Sequence, residues 1–373
     1  MEQLVEWIEL IEDPRQQSKV RHALLDIVLI VLFATMGNAN EWEEIADFAE
    51  CHEEFLKKYI SLENGVPSRD TIRRVMGMIK PEYIQQLYCK WNDMLNSNEG
   101  DKLKKIICID GKTMRGSKYK DAKAHHIVSA WSKDDGFCLG QKAVLEKSNE
   151  IAAIPELLDV INVKGQIVTI DAMGTQTAIV EKIKANKADY VLSVKENQKN
   201  LYDDIEKYLQ DEDFKQGIKD SGGYLKTVEK AHGQIEIREY YQTKDISWLV
   251  DKKRWKGLKS IGMVEKSIQR GDLISVEKRY YISSLAEDIT LFAKAVRQHW
   301  SVESMHWHLD VTFKEDNNTT SDKIAALNQN IIKKWCISML KLLEVGKKNI
   351  SLKRKRYIIC MQGEKYLEQI MNL

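Results

Sequence analysis

Apolar positions recur at helical spacing through the first quarter of the chain. In residues 41–59, Trp42, Ile45 and Phe48 fall on one face of a helix, and acidic residues occupy the other. A polar stretch at residues 97–100 ends this part. The pattern predicts an all-helical N-terminal domain over residues 1–96, followed by a second domain over residues 101–373. Within the first, residues 67–91 are compatible with a DNA-binding helix-turn-helix or with a plain helical bundle.

Short apolar runs typical of strands follow this boundary. Residues 106–109 have no polar alternation, which indicates a strand buried on both faces. Runs at 126–131 and 138–145 complete a three-stranded meander. Two more strands, at 166–171 and 190–194, alternate with helices at 150–161, 176–185 and 201–209. This order predicts an α/β fold with a mixed sheet flanked by helices. Residues 222–285 are β-rich, and the chain is helical again from about residue 290 to 343.

Composition excludes several classes of protein. Hydrophobic residues make up 43% of the chain and charged residues 30%, as in an ordinary soluble protein. The net charge is only +1, so a nucleic-acid surface would have to be local. The six cysteines are scattered, which argues against a disulfide framework or a structural zinc site. The most apolar run, residues 23–36, contains Asp26 and is too short to span a bilayer. We therefore expect a cytoplasmic protein without a membrane segment.

Two aspartates each follow an apolar strand, Asp110 after residues 106–109 and Asp171 after residues 166–170. The predicted strand order places them side by side. Two carboxylates at adjacent strand ends form an oxygen-rich site suited to Mg²⁺ or Mn²⁺. For each aspartate considered alone, the alternative is a structural role in the turn. There a cation or a hydrogen-bond donor would compensate for the cost of burying the carboxylate.

A third acid is expected in residues 297–311. On a continuous helix, Glu303 would share a face with His299, His306 and Asp310. The helix would be seated on the sheet by three other positions, Trp300, Trp307 and Val311. A solvated helix face is one alternative. A zinc hydrolase using His299, Glu303, His306 and His308 is another, although the HExxH pattern is absent.

Several motifs in one order resemble those of DDE transposases of bacterial insertion sequences, specifically the ISAs-type group that includes the H-repeat-associated proteins. In the N-terminal part the matching segments are residues 13–15, 19–22 and 65–71. In the rest they are residues 109–112 (IDGK), 171–173 (DAM), 195–198 (KENQ), 232–233 (HG), Arg297-x-His299-Trp300-x-x-Glu303 and 309–313.

The resemblance implies an RNase H-like catalytic domain with a β-rich insertion between the second and third acids, the place of residues 222–285. It implies that Asp110, Asp171 and Glu303 are catalytic and bind two Mg²⁺ or Mn²⁺ ions. The reaction would be DNA strand cleavage and strand transfer at the ends of an insertion sequence. The implied partners are double-stranded DNA, as inverted-repeat ends and target, and a second copy of the chain assembled on it. The implied location is the bacterial cytoplasm, at the nucleoid.

Basic blocks at residues 102–126 and 333–356 suit a phosphate backbone, although solvated lysines are the usual alternative. The candidate DNA contacts are Lys112, Arg115, Lys118, Lys195, Asn197, Arg297 and His299. In the wider clan the last helix carries a tyrosine, an arginine, the glutamate and a lysine, where this chain has Val296, His299, Glu303 and Asp310. His306 and Asp310 are therefore expected only near the metals or the phosphate. An inactive or domesticated DNA-binding protein, or a nuclease without strand transfer, stays possible at this stage.

Overall fold

The structure is a computed structural model that describes residues 2–96, 104–118, 124–144, 150–231, 233–346 and 350–371. The expected boundary at residues 97–100 and His232 of the His-Gly motif lie outside these ranges. None of the helices within them is long and apolar enough to cross a membrane.

The N-terminal part is helical, as its apolar spacing predicts. Its helices are α1 (Glu2–Glu9), α2 (Leu24–Met36), α3 (Trp42–Cys51), α4 (Glu53–Leu56), α5 (Arg69–Met76) and α6 (Pro81–Asn96). Helix α2 is apolar on every side and is therefore buried along its length. The single helix expected over residues 41–59 is divided at His52. Helix α5 starts after Ser68, whose hydroxyl accepts a hydrogen bond from the Thr71 N–H and caps the helix.

One mixed sheet organises the rest of the chain. Its strands are β1 (Ile106–Thr113), β2 (His126–Ser132), β3 (Phe137–Val144), β4 (Ile167–Ile170), β5 (Asp189–Val194), β6 (Tyr224–Ala231), β7 (Gln234–Thr243), β8 (Ser260–Arg270) and β9 (Leu273–Ser283). In the described ranges these nine strands follow the order β3-β2-β1-β4-β5-β9-β8-β7-β6. The pairs β1–β4 and β4–β5 are parallel and the other pairs are antiparallel. The predicted meander and the predicted parallel strands are confirmed.

Strand β1 continues beyond Asp110, where the sequence predicted its end. Its parallel pairing with β4 stops at the Ile109–Ile170 pair. Its antiparallel pairing with β2 continues through Asp110, opposite Ser129, to Thr113. The predicted end at Asp110 is therefore correct for the edge of β1 that pairs with β4 and wrong for the edge that pairs with β2. As a result, Asp110 has a strand partner on one side and an open edge on the other.

The β-rich segment extends the same sheet and does not form a separate layer. Strands β6 to β9 are a run of antiparallel hairpins, and β9 pairs with β5 through residues such as Ser283, opposite Val191. The Gly271-Asp272 turn joins β8 to β9, with Gly271 at a φ of +59°. The place of the β-rich segment agrees with the prediction, whereas its continuity with the catalytic strands was not foreseen.

Helices cover both faces of the sheet. They are α7 (Glu150–Val160), α8 (Thr177–Ala185), α9 (Lys199–Gln210), α10 (Glu212–Asp220), α11 (Ile289–His299), α12 (Ser301–Trp307), α13 (Lys323–Leu342), α14 (Leu352–Met361) and α15 (Gly363–Met371). Helices α7 to α10 pack on one face. Helices α11 to α15 pack on the other, and the N-terminal helices share that core. For example, Tyr88 of α6 lies 2.6 Å from the Ser338 hydroxyl of α13 and stacks on Trp335. The division into two domains stays a prediction.

Candidate active site

Strand pairing brings Asp110 and Asp171 together. Ile109 of β1 lies opposite Ile170 of β4 in parallel register. The residue after Ile109 is Asp110, and the residue after Ile170 is Asp171. Side chains alternate along a strand, so Asp110 shares a face with Cys108, and Asp171 shares one with Thr169. Cys108 contacts the Gln298 carbonyl, and Thr169 contacts the neighbouring His299. Both aspartates therefore belong to the face covered by α11 and α12.

The electrostatics of Asp110 indicate that several acids share this place. The pKa of Asp110 is raised to about 7, chiefly by burial and also by the nearby charges of Asp171, Glu150 and Glu303. A hydrogen bond from the Gly111 backbone acts in the opposite direction. A cation beside such a carboxyl group would favour its ionised form.

Glu303 is supplied by α12, a helix of seven residues that begins after a break at Trp300. Three buried residues, Val302, Met305 and Leu309, seat this segment against the sheet. The expected seats Trp307 and Val311 are 55% and 47% exposed, so that prediction is wrong. The buried seat is instead another face of the same segment, because Val302, Met305 and Leu309 recur at spacings of three and four residues and Trp307 lies on a different side.

Arg279 of β9 reaches this break. Its guanidinium lies 4.3 Å from the centre of the Trp300 ring, a cation–π contact. Glu303 itself is exposed. Partial desolvation raises the pKa of Glu303, while the charges of Arg279 and Lys266 lower it. The insertion strands thus deliver positive charge to the side of the site where the third acid lies.

The histidines predicted around Glu303 face different partners. His299 Nδ1 lies 3.0 Å from the Thr169 hydroxyl, His306 Nδ1 lies 3.6 Å from Asp110 Oδ2, and His308 Nδ1 lies 3.1 Å from the Thr312 hydroxyl. Burial lowers the pKa of His299 to about 4 and that of His306 to about 3, so both rings are neutral at pH 7. Because the three rings do not converge, the arrangement gives no support to the zinc alternative. A DNA contact by His299 stays a prediction.

Lys112 makes internal ion pairs. Its Nζ lies 2.7 Å from Asp310 Oδ1, 3.1 Å from Glu315 Oε2 and 3.6 Å from Asp316 Oδ1. The side chain is 10% exposed. Asp310 belongs to a π-helical turn, His308–Thr312, which directly follows α12. The structure therefore places Lys112 and Asp310 together, one from each side of the site.

Lys195 and Asn197 lie beside Asp171. All three residues line a cleft of about 580 Å³, which Lys278 and Arg279 of β9 also line. The Asn197 side chain donates a hydrogen bond of 2.7 Å to the Ala172 carbonyl, which fixes the turn after β5 against the segment after β4. Of the predicted DNA contacts, these two residues are exposed and share a cleft with Asp171.

The other predicted DNA contacts are spread around the site. The Arg115 side chain is 83% exposed and Lys118 is also exposed, both in the turn after β1. Arg297 of α11 lies 3.2 Å from Glu229 of β6. Residues 119–123, in the middle of the first basic block, lie outside the described ranges. None of these roles has been tested, and each stays a prediction.

The second basic block, residues 333–356, is partly internal, which contradicts its reading as a continuous phosphate-binding surface. Lys333, Lys334 and Arg356 are buried. Lys334 Nζ donates to Gln141 of β3 and to Ser129 of β2, the strand partner of Asp110. The Arg356 guanidinium donates to backbone carbonyls at the end of α2 and in the π-helical turn. Sequence spacing alone did not reveal this, because a buried and a solvated lysine look the same in a charge count.

The sequence argument did not identify Glu150 and His126 as neighbours of the site. His126 Nε2 of β2 lies 3.0 Å from Glu150 Oε2 at the start of α7, and both side chains are buried. A Cβ atom at Gly111 would overlap both groups, so only glycine fits beside Asp110. Acids are common in the first turn of a helix, where they interact favourably with the helix dipole. The local sequence around Glu150 therefore did not distinguish it from other acids of this kind.

The acids fit a divalent metal by their chemistry. Mutually repelling carboxylates with a raised pKa at Asp110 are the donor set that a hard cation stabilises. Among the residues that the structure describes, no three His, Cys, Asp or Glu side chains are gathered closely enough to hold a metal ion. Asp110, Asp171 and Glu303 are therefore candidate metal ligands by their chemistry alone.

Comparison with known families agrees with this site. The family model described as "Transposase DDE domain" matches residues 101–339. A second, described as "DDE_Tnp_1-associated", matches residues 5–92. The first match covers more than half of the chain and includes the strands and the helix that carry the three acids. The chain therefore belongs to the DDE transposase family.

Its relatives include proteins of Escherichia coli that are named as transposases. The protein named "Putative transposase YncI" of Escherichia coli O157:H7 is 38% identical over 100% of this chain and 95% of its own length. The "H repeat-associated putative transposase YhhI" of Escherichia coli K12 is 39% identical over 85% and 84%. The "Inactive transposase YbfQ" of the same strain is 45% identical over 21% of this chain and 95% of its own length. The expected relationship to H-repeat-associated proteins is confirmed, and the ISAs-type assignment is compatible with it.

Proposed function

We propose that this protein cuts and joins DNA strands at the ends of an insertion sequence, with Asp110, Asp171 and Glu303 as its catalytic acids. The observation that carries the proposal is the parallel register of β1 and β4, whose last pair, Ile109 and Ile170, directly precedes Asp110 and Asp171. The strand order β3-β2-β1-β4-β5, with only β2 antiparallel to its neighbours, supports an RNase H-like catalytic domain. The β-rich segment would be the insertion of that domain.

Transposase DDE domains generally use divalent metal ions. Asp110, Asp171 and Glu303 would hold two Mg²⁺ or Mn²⁺ ions, which supply a more acidic attacking oxygen and charge compensation for the leaving oxygen. In the first reaction, water attacks a phosphodiester, the bond from phosphorus to the 3′-oxygen breaks, and a free 3′-hydroxyl results. In the second, that hydroxyl attacks a phosphodiester of the target, and the bond to the target's own 3′-oxygen breaks. The neutral rings of His299 and His306 would add no competing positive charge.

The cleft beside Asp171 is the proposed path of the DNA backbone. Lys195, Asn197, Lys278 and Arg279 line it and can donate to phosphate oxygens. Arg115, Lys118 and Arg297 are proposed to contact DNA further from the acids. The substrates would be the inverted-repeat ends and a target duplex, with two copies of the chain assembled on them, in the bacterial cytoplasm at the nucleoid.

The test uses labelled duplexes that end in the flanking inverted repeats, together with a supercoiled target and Mg²⁺ or Mn²⁺. Asp110→Asn and Glu303→Gln are the matched variants, because each removes a charge and keeps the volume of the side chain. We expect cleavage at the repeat ends and joined products with the native chain, and a loss of at least about a thousandfold in both variants. Activity that survives either substitution would contradict the assignment of that acid.

Two other outcomes would identify the alternatives. Specific binding to the repeats without cleavage by the native chain would indicate an inactive or domesticated DNA-binding protein, and a short relative does carry the name of an inactive transposase. Cleavage without joined products would indicate a nuclease that lacks strand transfer.

A further inference from the structure

Two pairs of residues connect the strand that carries Asp110 to the segment that carries Glu303. Asp110 of β1 faces His306 of α12, with 3.6 Å between Oδ2 and Nδ1. Lys112 of β1 faces Asp310 of the π-helical turn, with 2.7 Å between Nζ and Oδ1. His306 lies three residues after Glu303, and Asp310 lies four residues further along the same segment.

The spacing of these pairs is the same on both elements. Two residues along a strand cover about 6.6 Å, and four residues along a helix cover about 6 Å. Asp110 and Lys112 are two residues apart, and His306 and Asp310 are four apart. The helical segment therefore lies alongside β1 with one contact at each end of a matched interval. A shift of the segment along β1 would break both contacts.

The Lys112 end of this interval is built into the interior. Glu315, the second partner of Lys112, is buried, and the Asn330 amide of α13 donates a hydrogen bond of 2.7 Å to its other oxygen. The charges of Lys112 and Lys333 lower the pKa of Glu315 against the effect of burial. An ammonium group held by three carboxylates has little freedom to move to a phosphate.

We propose that Lys112 is a positioning residue, whose ion pair with Asp310, backed by Glu315, sets the position of Glu303 relative to Asp110. This inference rests on the proposed function of the three acids. It assigns Lys112 and Asp310 to each other, and it replaces the DNA contact expected for Lys112 and the metal or phosphate contact expected for Asp310. It also accounts for the departure from the clan pattern, in which a lysine occupies the position of Asp310. In this chain the cation is Lys112 of β1, and Asp310 is its partner.

The test compares Lys112→Gln, Asp310→Asn and the double variant with the native chain. Asp310→Asn keeps Lys112 beside the buried Glu315, so it breaks the pair with the least risk to folding. Lys244→Gln is the matched control, because Lys244 is exposed and its ion pair with Glu287, 3.0 Å long, involves none of the three acids. Three quantities are measured: Mn²⁺ affinity without DNA, the salt dependence of DNA affinity without divalent ions, and the cleavage rate at saturating DNA.

We expect each single variant to weaken Mn²⁺ binding and slow cleavage by roughly 10- to 100-fold, as for other residues that orient metal-binding side chains. The double variant is expected to lose no more than the worse single variant, because both remove one interaction. The slope of log affinity against log salt should be unchanged in all three. Lys195→Ala, by contrast, is expected to reduce that slope by about 0.9.

A slope reduced by about 0.9 in Lys112→Gln would make Lys112 a phosphate contact and overturn the proposal. Weaker Mn²⁺ binding in Asp310→Asn but not in Lys112→Gln would make Asp310 a metal ligand and overturn it as well. So would normal Mn²⁺ affinity and cleavage in both single variants. A native chain that neither binds Mn²⁺ nor cuts DNA would instead contradict the proposed function itself.

Discussion

The two aspartates and the glutamate of the site are held by different kinds of structure. Asp110 and Asp171 each lie one residue beyond the last pair of β1 and β4, whose backbones are hydrogen-bonded to each other in parallel register. Glu303 lies on a helix of seven residues between a break and a π-helical turn. The strand pairing fixes the aspartates through main-chain bonds, which any sequence able to form the sheet would make. The position of Glu303 depends on individual side chains.

Those side chains come from distant parts of the chain. Cys108 contacts the Gln298 carbonyl, Thr169 contacts His299, and Arg279 lies over Trp300. Together with the Lys112–Asp310 pair, they surround the segment that carries the glutamate on several sides. The strand half of the site should therefore tolerate loss of single contacts better than the helical half.

The largest expected effect comes from Met305, one of the buried side chains that pack α12 against the sheet. Met305→Ala removes a buried side chain under Glu303 and should lower the free energy of unfolding by roughly 2–5 kcal/mol. Ile107→Ala, in the equally buried interior of β1, is the matched variant and should cost a similar amount. We expect Mn²⁺ affinity to fall in Met305→Ala and to change little in Ile107→Ala. Chemical denaturation and calorimetric titration measure both quantities, and equal losses of affinity would remove the distinction between the two halves.

The next effect concerns the charges on each half. Because the pKa of Asp110 is raised to about 7 in the folded state, its contribution to stability is complete at pH values below about 3.8 and is lost as the pH rises through 7. Asp110→Asn should therefore stabilise the metal-free protein at pH 8 by roughly 1–4 kcal/mol and have no such effect at pH 3.5.

Glu303→Gln provides the comparison for this pH effect. Glu303 is exposed, so the stabilisation by Glu303→Gln at pH 8 should be smaller than that by Asp110→Asn. Thermal unfolding of the three proteins in a chelating buffer, from pH 3.5 to 8, gives the answer. If Asp110→Asn were no more stable than the native chain at pH 8, the acids would not be crowded as described.

The smallest expected effect comes from the contact between Thr169 of β4 and His299 of α11, which joins the strand half of the site to its helical half. Thr169→Val keeps the shape of the side chain and leaves His299 Nδ1 without its partner, which should cost roughly 1–2 kcal/mol. Thr35→Val is the control, because the buried Thr35 hydroxyl has no hydrogen-bond partner among the described residues. Urea denaturation should separate the two variants. A loss in Thr35→Val as large as that in Thr169→Val would show that the change of chemistry alone, and not the contact with His299, is responsible.

The sequence was a good guide wherever backbone pattern decides the structure. Apolar runs located the strands of the mixed sheet, and Asp110 and Asp171, each one residue beyond the last parallel pair of β1 and β4, could be named before any geometry was known. The same reasoning was wrong for Trp307 and Val311, because it assigned the seat to the wrong face of the helical segment, whose buried residues are Val302, Met305 and Leu309. Helical spacing shows which residues share a face, but more than one face of this segment carries apolar residues, so spacing alone did not identify the face that packs on the sheet.

Charge was the property that the sequence described least well. Lys112 and Arg356 belong to basic stretches that resemble phosphate-binding surfaces, yet Lys112 is held by three carboxylates and Arg356 by backbone carbonyls. By itself the sequence determined the family, the meander and the parallel strands, and it named the candidate acids, because these follow from local pattern and motif. Only the tertiary structure decided which cations face inward and how Glu303 meets the sheet, because partners distant in sequence set the surroundings of a charge.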